Sequence, residues 1–233
     1  IKLSFREYTF DRNIFRSCIR IGLPTGFQQS FIAFGIMAIM SIVNGFGTNA
    51  VAAYSAAMRI DSFVRMPAIT FSSALSTFVG QNLGAFKKQR AKAGLKATLL
   101  FSTIYCIFAS LLIIIFGHHI MSLFTSDPAV IQIGREYMII VSSFYLLFSI
   151  MFNYTGFLRG AGATLVPMIT TFTALYLIRI PAAVFLSGII GVNGIWWGEP
   201  MGTAIGLIIL LIYYRSGKWE GKAVMKKAPD EIR

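Results

Sequence analysis

Residues 52–85 read AAYSAAMRIDSFVRMPAITFSSALSTFVGQNLGA. Three charges, Arg59, Asp61 and Arg65, interrupt a run that is otherwise apolar, small or hydroxylic, and Pro67 follows. Asp61 and Arg65 are four residues apart, so on a helix they share a face and can pair. Arg59 points away from that face. A bare charge inside a bilayer costs at least about 2.5–3.5 kcal/mol. If this run crosses a membrane, its charged face must therefore look onto protein or water. Pro67 has no N–H to offer the Phe63 carbonyl, which leaves a free acceptor and a place to kink. Two readings stand at this point. The group is a cation site or hinge, or it is an internal Asp–Arg clasp that locks helices together.

The composition supports a crossing. Of 233 residues, 56% are hydrophobic and 13% charged, and 21 are Phe; the mean hydropathy is +0.70. A soluble domain carries about 25% charged residues, so this chain cannot cover a water-facing surface. Six stretches reach the roughly 20 apolar residues that a span needs. They are Leu23 to Val43, Val51 to Val79, Ala97 to Phe116, Tyr137 to Leu158, Val166 to Leu186 and Ile195 to Tyr214. Turn-forming connections such as NGFGTN, TSDPAV and RGAGAT separate them. The expected fold is all-α, a polytopic membrane protein of six transmembrane helices. Residues 1–19 read as a cytoplasmic linker, 20–215 as the bundle and 216–233 as a basic cytoplasmic tail. The chain opens at Ile1 without an initiator Met, which points to a longer protein.

Charge placement fixes the expected orientation. Six spans put both ends on one side, and that side collects 17 of the 21 Lys and Arg residues. Arg135 alone falls in an outer loop; Arg59, Arg65 and Arg179 lie within spans. This asymmetry is the positive-inside pattern of a multi-pass cell-membrane protein with both termini cytoplasmic. It accounts for the net charge of +12 without a nucleic-acid partner. Cys18 and Cys106 lie too far apart in the pattern to suggest a disulfide framework.

Further polar residues mark a candidate pathway: Gln28 and Gln29 in the first span, Asn153 and Tyr154 in the fourth. For each, a hydrogen bond between helices is the competing reading. Pro24, Pro67, Pro181 and Pro200 are candidate hinges or kinks. Glu199 stands beside Trp196 and Trp197, and reads as a solvated outer-leaflet residue next to an interfacial tryptophan belt. Gly198, Gly202 and Gly206, and Gly156 with Gly160, form small-residue faces suited to close helix packing. No phosphate-binding loop, HExxH or GxSxG motif occurs, and no Cys/His spacing suits zinc. The chain reads as neither an enzyme nor a metal binder: His118 and His119 are adjacent and diverge on a helix. Kinked, sparsely charged spans are the profile of a secondary transporter or channel.

RIGLPTGFQQS (20–30), the 52–85 stretch, GFLRGAGATLVP (156–167) and NGIWWGEPMG (193–202) together resemble the multidrug and toxic compound extrusion (MATE) transporters. The likeness runs from Arg20 to Tyr214. It implies one MATE-type six-helix bundle, the C-terminal half of a twelve-span protein whose N-terminal bundle is a further partner. It also implies Na⁺- or H⁺-coupled export of small organic, often cationic, compounds from a lipid bilayer, with no other cofactor. Two departures matter. The first and fourth spans lack the carboxylates that some branches carry, and GAGAT replaces the usual GAGDT at Ala163. The resemblance leaves two alternatives beside the exporter: a related flippase of lipid-linked sugars, and an inactive truncated remnant.

Overall fold

A computed structural model of the chain describes residues 10–222. These residues are almost wholly helical and contain no strand. In chain order they form α1 (Arg12–Asn44), α2 (Thr48–Gly84), α3 (Lys88–Ser122), α4 (Pro128–Ser142), α5 (Tyr145–Gly160), α6 (Leu165–Phe172), α7 (Ile180–Ile190) and α8 (Val192–Arg215). A π-helical segment, Thr173–Arg179, joins α6 to α7 without a break, and a 3₁₀ turn, Lys218–Lys222, follows α8. Taken as rods, α4 with α5 is one and α6 through α7 another, so the count is six. Four rods are long and apolar enough to cross a membrane alone: α1, α3, residues 165–190 and α8. The α4–α5 pair makes a fifth, bent by 53°. The sixth is α2, whose charges and hydroxyls dilute its apolar character.

Local chemistry sets the helix ends. Asp11 caps α1, its Oδ1 accepting from the N–H groups of Asn13 and Ile14. The first rod therefore runs unbroken across residue 20, where sequence placed the edge of the linker. Asp127 caps α4 in the same way, with Pro128 at the first helical position, where its missing N–H costs nothing. The α1–α2 turn needs Gly47, which has φ of +90°.

The bend in the fourth rod has no proline behind it. Serine hydroxyls supply it instead. Ser143 Oγ donates to the Ile139 carbonyl, and Ser110 Oγ of α3 donates to that of Ser142. The Ser142 carbonyl at the end of α4 thus has a partner from α3, so the rod can break inside a dry region.

Between helices in lipid there is little hydrophobic driving force, so close packing decides contacts. Gly156 and Gly160 bring α5 directly onto the backbone of Ser72 and Ser76 in α2. A Cβ built at Gly160 would lie 3.0 Å from the Ser76 Cα. Gly198 and Gly202 do the same for α8 against the π segment, facing the carbonyls of Arg179 and Ala174. Both glycine faces expected from sequence are therefore packing faces. Cys18 is exposed and Cys106 buried, and both are free.

The rods alternate in direction. Lys88 and Lys92 at the start of α3 both reach Glu220 after α8. Thr164 Oγ1 donates to the Arg20 carbonyl, bringing the α5–α6 loop to the same end. Asn193 Nδ2 donates to Glu136 at the opposite end. Every described Lys and Arg lies at the first end, except Arg135 at the other and Arg59, Arg65 and Arg179 between. Lys2, Arg6, Lys226, Lys227 and Arg233 lie outside the described residues.

Trp219 seals that cationic end. It is buried, stacks on Tyr214 and donates from Nε1 to the Tyr214 carbonyl. Hydrogen bonding to Lys88 holds the Glu220 carboxyl below its usual range. Because the folded value is lowered, the contact is complete above the ordinary Glu value of about 4.3 and fades as pH falls through the lowered one. Protection factors of the amides in residues 216–222, taken against the intrinsic exchange rate at each pH, are accordingly expected to fall as pH drops through the lowered Glu220 value, and protection factors that stay level would show that Glu220 does not hold the turn.

Candidate functional site: a buried four-charge network

The π segment, α8, α2 and α5 meet around four charges. Arg65 and Asp61 pair along α2, with Arg65 Nε 2.8 Å from Asp61 Oδ2. Arg65 also binds Glu199 Oε1 on α8 through Nη1. Arg179 Nη2, at the end of the π segment, lies 3.0 Å from Glu199 Oε2. Tyr145 at the start of α5 donates its hydroxyl to Asp61 Oδ1 over 2.7 Å. The Arg65 guanidinium rests over the Phe148 ring, 4.3 Å from its centre. Two acids face two guanidiniums, so the group is neutral as a whole. Each of the four carboxylate oxygens has a donor.

The sequence builds this arrangement from three devices. Helical spacing puts Asp61 beside Arg65. Gly198 and Gly202 flank Glu199 on α8 and admit the π segment at backbone contact, which carries Arg179 onto the carboxylate. Pro181 lacks an N–H for the Leu177 carbonyl, and the wider π turn precedes it. Below the charges, Trp196 stacks on Tyr54 at 5.2 Å and meets Tyr137 edge-on at 5.0 Å.

Glu199 corrects the sequence reading. It is not a solvated outer residue but 8% exposed and held by two arginines. Trp196 is likewise no interfacial belt residue, being 1% exposed; Trp197 is exposed, at 40%. The network is level with Glu199, seven residues or about 10 Å from the start of α8 at Val192.

The other predicted site residues do not converge on it. Gln28 is buried and clamps α1 to α6, its Nε2 donating to Thr171 Oγ1 over 2.7 Å, while Arg159 Nη2 donates weakly to its Oε1 at 3.4 Å. Asn153 is buried, donating to Ser102 Oγ on α3 over 2.7 Å. Tyr154 packs edge-on to Tyr214 near the cationic end. Gln29 and Arg59 are exposed. Pro24, Pro67 and Pro200 all lie inside continuous helices, and Tyr105 donates to the Val64 carbonyl one turn before Pro67. Among the described residues, no group of His, Cys, Asp and Glu could hold a metal ion.

The MatE family pattern matches residues 24–185. The chain belongs to the MATE family. It is 31% identical over 202 residues to the "Probable multidrug resistance protein YpnP" of Bacillus subtilis, covering 87% of this chain and 45% of that protein. It is 28% identical over 214 residues to a "Probable multidrug resistance protein NorM" of Thermotoga maritima, covering 91% and 46%. Among solved structures, an outward-facing multidrug resistance MATE family transporter of the MOP superfamily superposes with a TM-score of 0.87 at 17% identity. That match covers 95% of this chain and 50% of the other. A variant of the Vibrio cholerae MATE transporter VcmN gives 0.83 at 21% identity, over 92% and 50%. The MATE chain described here thus spans about half the length of the relatives it matches. Its fold is that of one MATE-type helical bundle in a multi-pass membrane protein.

Proposed function

We propose that this bundle is one half of a twelve-span, cation-coupled exporter of small organic compounds, with its cationic end in the cytoplasm. The observation that carries the reading is a difference between outer surfaces. Between Leu100 and Phe116 the exposed side of α3 is apolar, as Leu100, Phe101, Ile104, Ile107, Phe108, Leu111 and Ile115 show. That is a surface for lipid. The exposed side of α2 is mixed instead, presenting Arg59, Ser62, Thr70, Ser73 and Thr77 among Phe63, Met66 and Ile69. Such a face suits a wet cleft or a second bundle better than hydrocarbon. The half-length match to the relatives supports a second bundle as the partner, and their multidrug resistance names support export.

The four-charge network serves this reading as a clasp. It ties α2, α5, α8 and the π segment into one body that can move as a unit. With two guanidiniums already neutralising the two carboxylates, a Na⁺ ion or proton would bind there against two fixed positive charges. This supports placing the coupling cation, Na⁺ or H⁺, in the other half.

The test uses the complete gene product in proteoliposomes, with a fluorescent organic cation as probe. Imposing a Na⁺ or proton gradient is expected to drive accumulation of the probe against its own gradient. Probe movement that ignores both gradients would overturn the coupled-export reading.

A further inference from the structure

Arg59 has no part in the clasp. Between Arg20 and Lys87, α1 and α2 carry only three charged residues: Arg59, Asp61 and Arg65. Two of these close on each other and on Glu199. Arg59 is exposed on the opposite side of α2 and makes no ion pair among the described residues. The proposed pathway face therefore offers one free charge, and it is positive.

The neighbours sharpen this. Phe63 and Met66 follow at four and seven residues, on the same helix face, and are 75% and 62% exposed. They form an aromatic and thioether platform beside the guanidinium. The hydroxyls on this surface are engaged within their own helix. Ser62, Thr70, Ser73 and Thr77 each give their proton to the carbonyl four residues back. Their lone pairs can accept, while their protons are bonded within the helix. The exposed amide of Gln29 is neutral. An anionic group moving along α2 thus finds its charged donor at Arg59, with a ring to stack on one turn away.

We propose that Arg59 is the anion-recognising group of the transport pathway, selecting substrates that carry a carboxylate on an aromatic body. The inference rests on the export reading above. It names a substrate class that charge-neutral recognition or a preference for cations would not give. Guanidinium and carboxylate make a paired, charge-assisted contact, and removing one partner of such a contact costs about tenfold or more in affinity.

The experiment uses the full-length protein in proteoliposomes and two probes: a rhodamine with a free benzoate, and its methyl ester. Both carry the same cationic ring system, and only the first carries the carboxylate. Arg59→Gln is expected to slow transport of the free benzoate about tenfold and to change the ester by less than about twofold. Arg59→Lys is expected to keep most of the discrimination. Equal loss of both probes would mean that Arg59 pairs with the other half of the protein or with lipid head groups, and would overturn the proposal. So would an unchanged ratio. Fluorescence anisotropy of each rhodamine on the purified full-length protein reads the same ratio with no gradient. If the unsubstituted protein binds both probes but moves neither, the export reading fails while recognition by Arg59 is still decided by the binding ratio.

Discussion

Glu199→Gln is expected to cost the bundle about 3–5 kcal/mol, the range for removing one partner of a buried ion pair. Glu199 is the one group that touches both arginines of the network. Without its charge, Arg65 keeps Asp61, but Arg179 loses its only ion-pair partner among the described residues. Arg179 already has an unpartnered Nε, so little else can compensate. In a chain of this size the loss corresponds to a fall of about 6–20 °C in melting temperature, measured in detergent. Asp61→Asn should fall less. Its amide oxygen can still accept from Tyr145, and Arg65 retains Glu199. A melting temperature unchanged by Glu199→Gln would remove the clasp from the account. So would an Asp61→Asn protein that melts normally yet has lost its dependence on a cation gradient.

The second large effect is steric. Gly160→Val is expected to destabilise the bundle by about 3 kcal/mol or more, at the top of the range for overpacking. The new side chain would enter the backbone of α2 at Ser76 rather than a movable side chain. The two helices must then separate along their whole contact, which Gly156 shares one turn earlier. Gly188→Ala is the matched control. Nothing lies within 4 Å of a Cβ there, and the change should be neutral or slightly stabilising, since Ala is the better helix former. Equal melting temperatures for Gly160→Val and Gly188→Ala would show that α2 and α5 are not in backbone contact.

Much of the fold is legible in the sequence because its signals are local. Six apolar stretches, an Asp cap before α4 and glycines at four-residue spacing each act within a few turns. The Asp61–Arg65 pair is legible for the same reason. Glu199 is not, because its partners are remote: Arg179 lies on the preceding rod and Arg65 four rods back. Its place beside two tryptophans resembles the edge of a bilayer. A signal was nonetheless available in the charge count. The spans carry Arg59, Arg65 and Arg179 against Asp61 and Glu199, and buried charges come paired. Glu199, inside the Ile195 to Tyr214 stretch, is the second acid those arginines required. The bend in the fourth rod was hidden for another reason. Neither Pro nor Gly stands at 142–144, and a serine pair breaks a helix only when a neighbour such as Ser110 takes up a freed carbonyl.

Two double variants test the clasp most directly. Arg179→Gln with Glu199→Gln leaves Asp61 and Arg65 as a neutral pair. Asp61→Asn with Arg65→Gln leaves Glu199 and Arg179. Every single variant, by contrast, leaves an odd charge buried. Melting temperatures of the full-length proteins in detergent are predicted to be higher for each double variant than for its worse single variant. Double variants that fall by the sum of their single effects would show that these four side chains act independently, and would contradict the account.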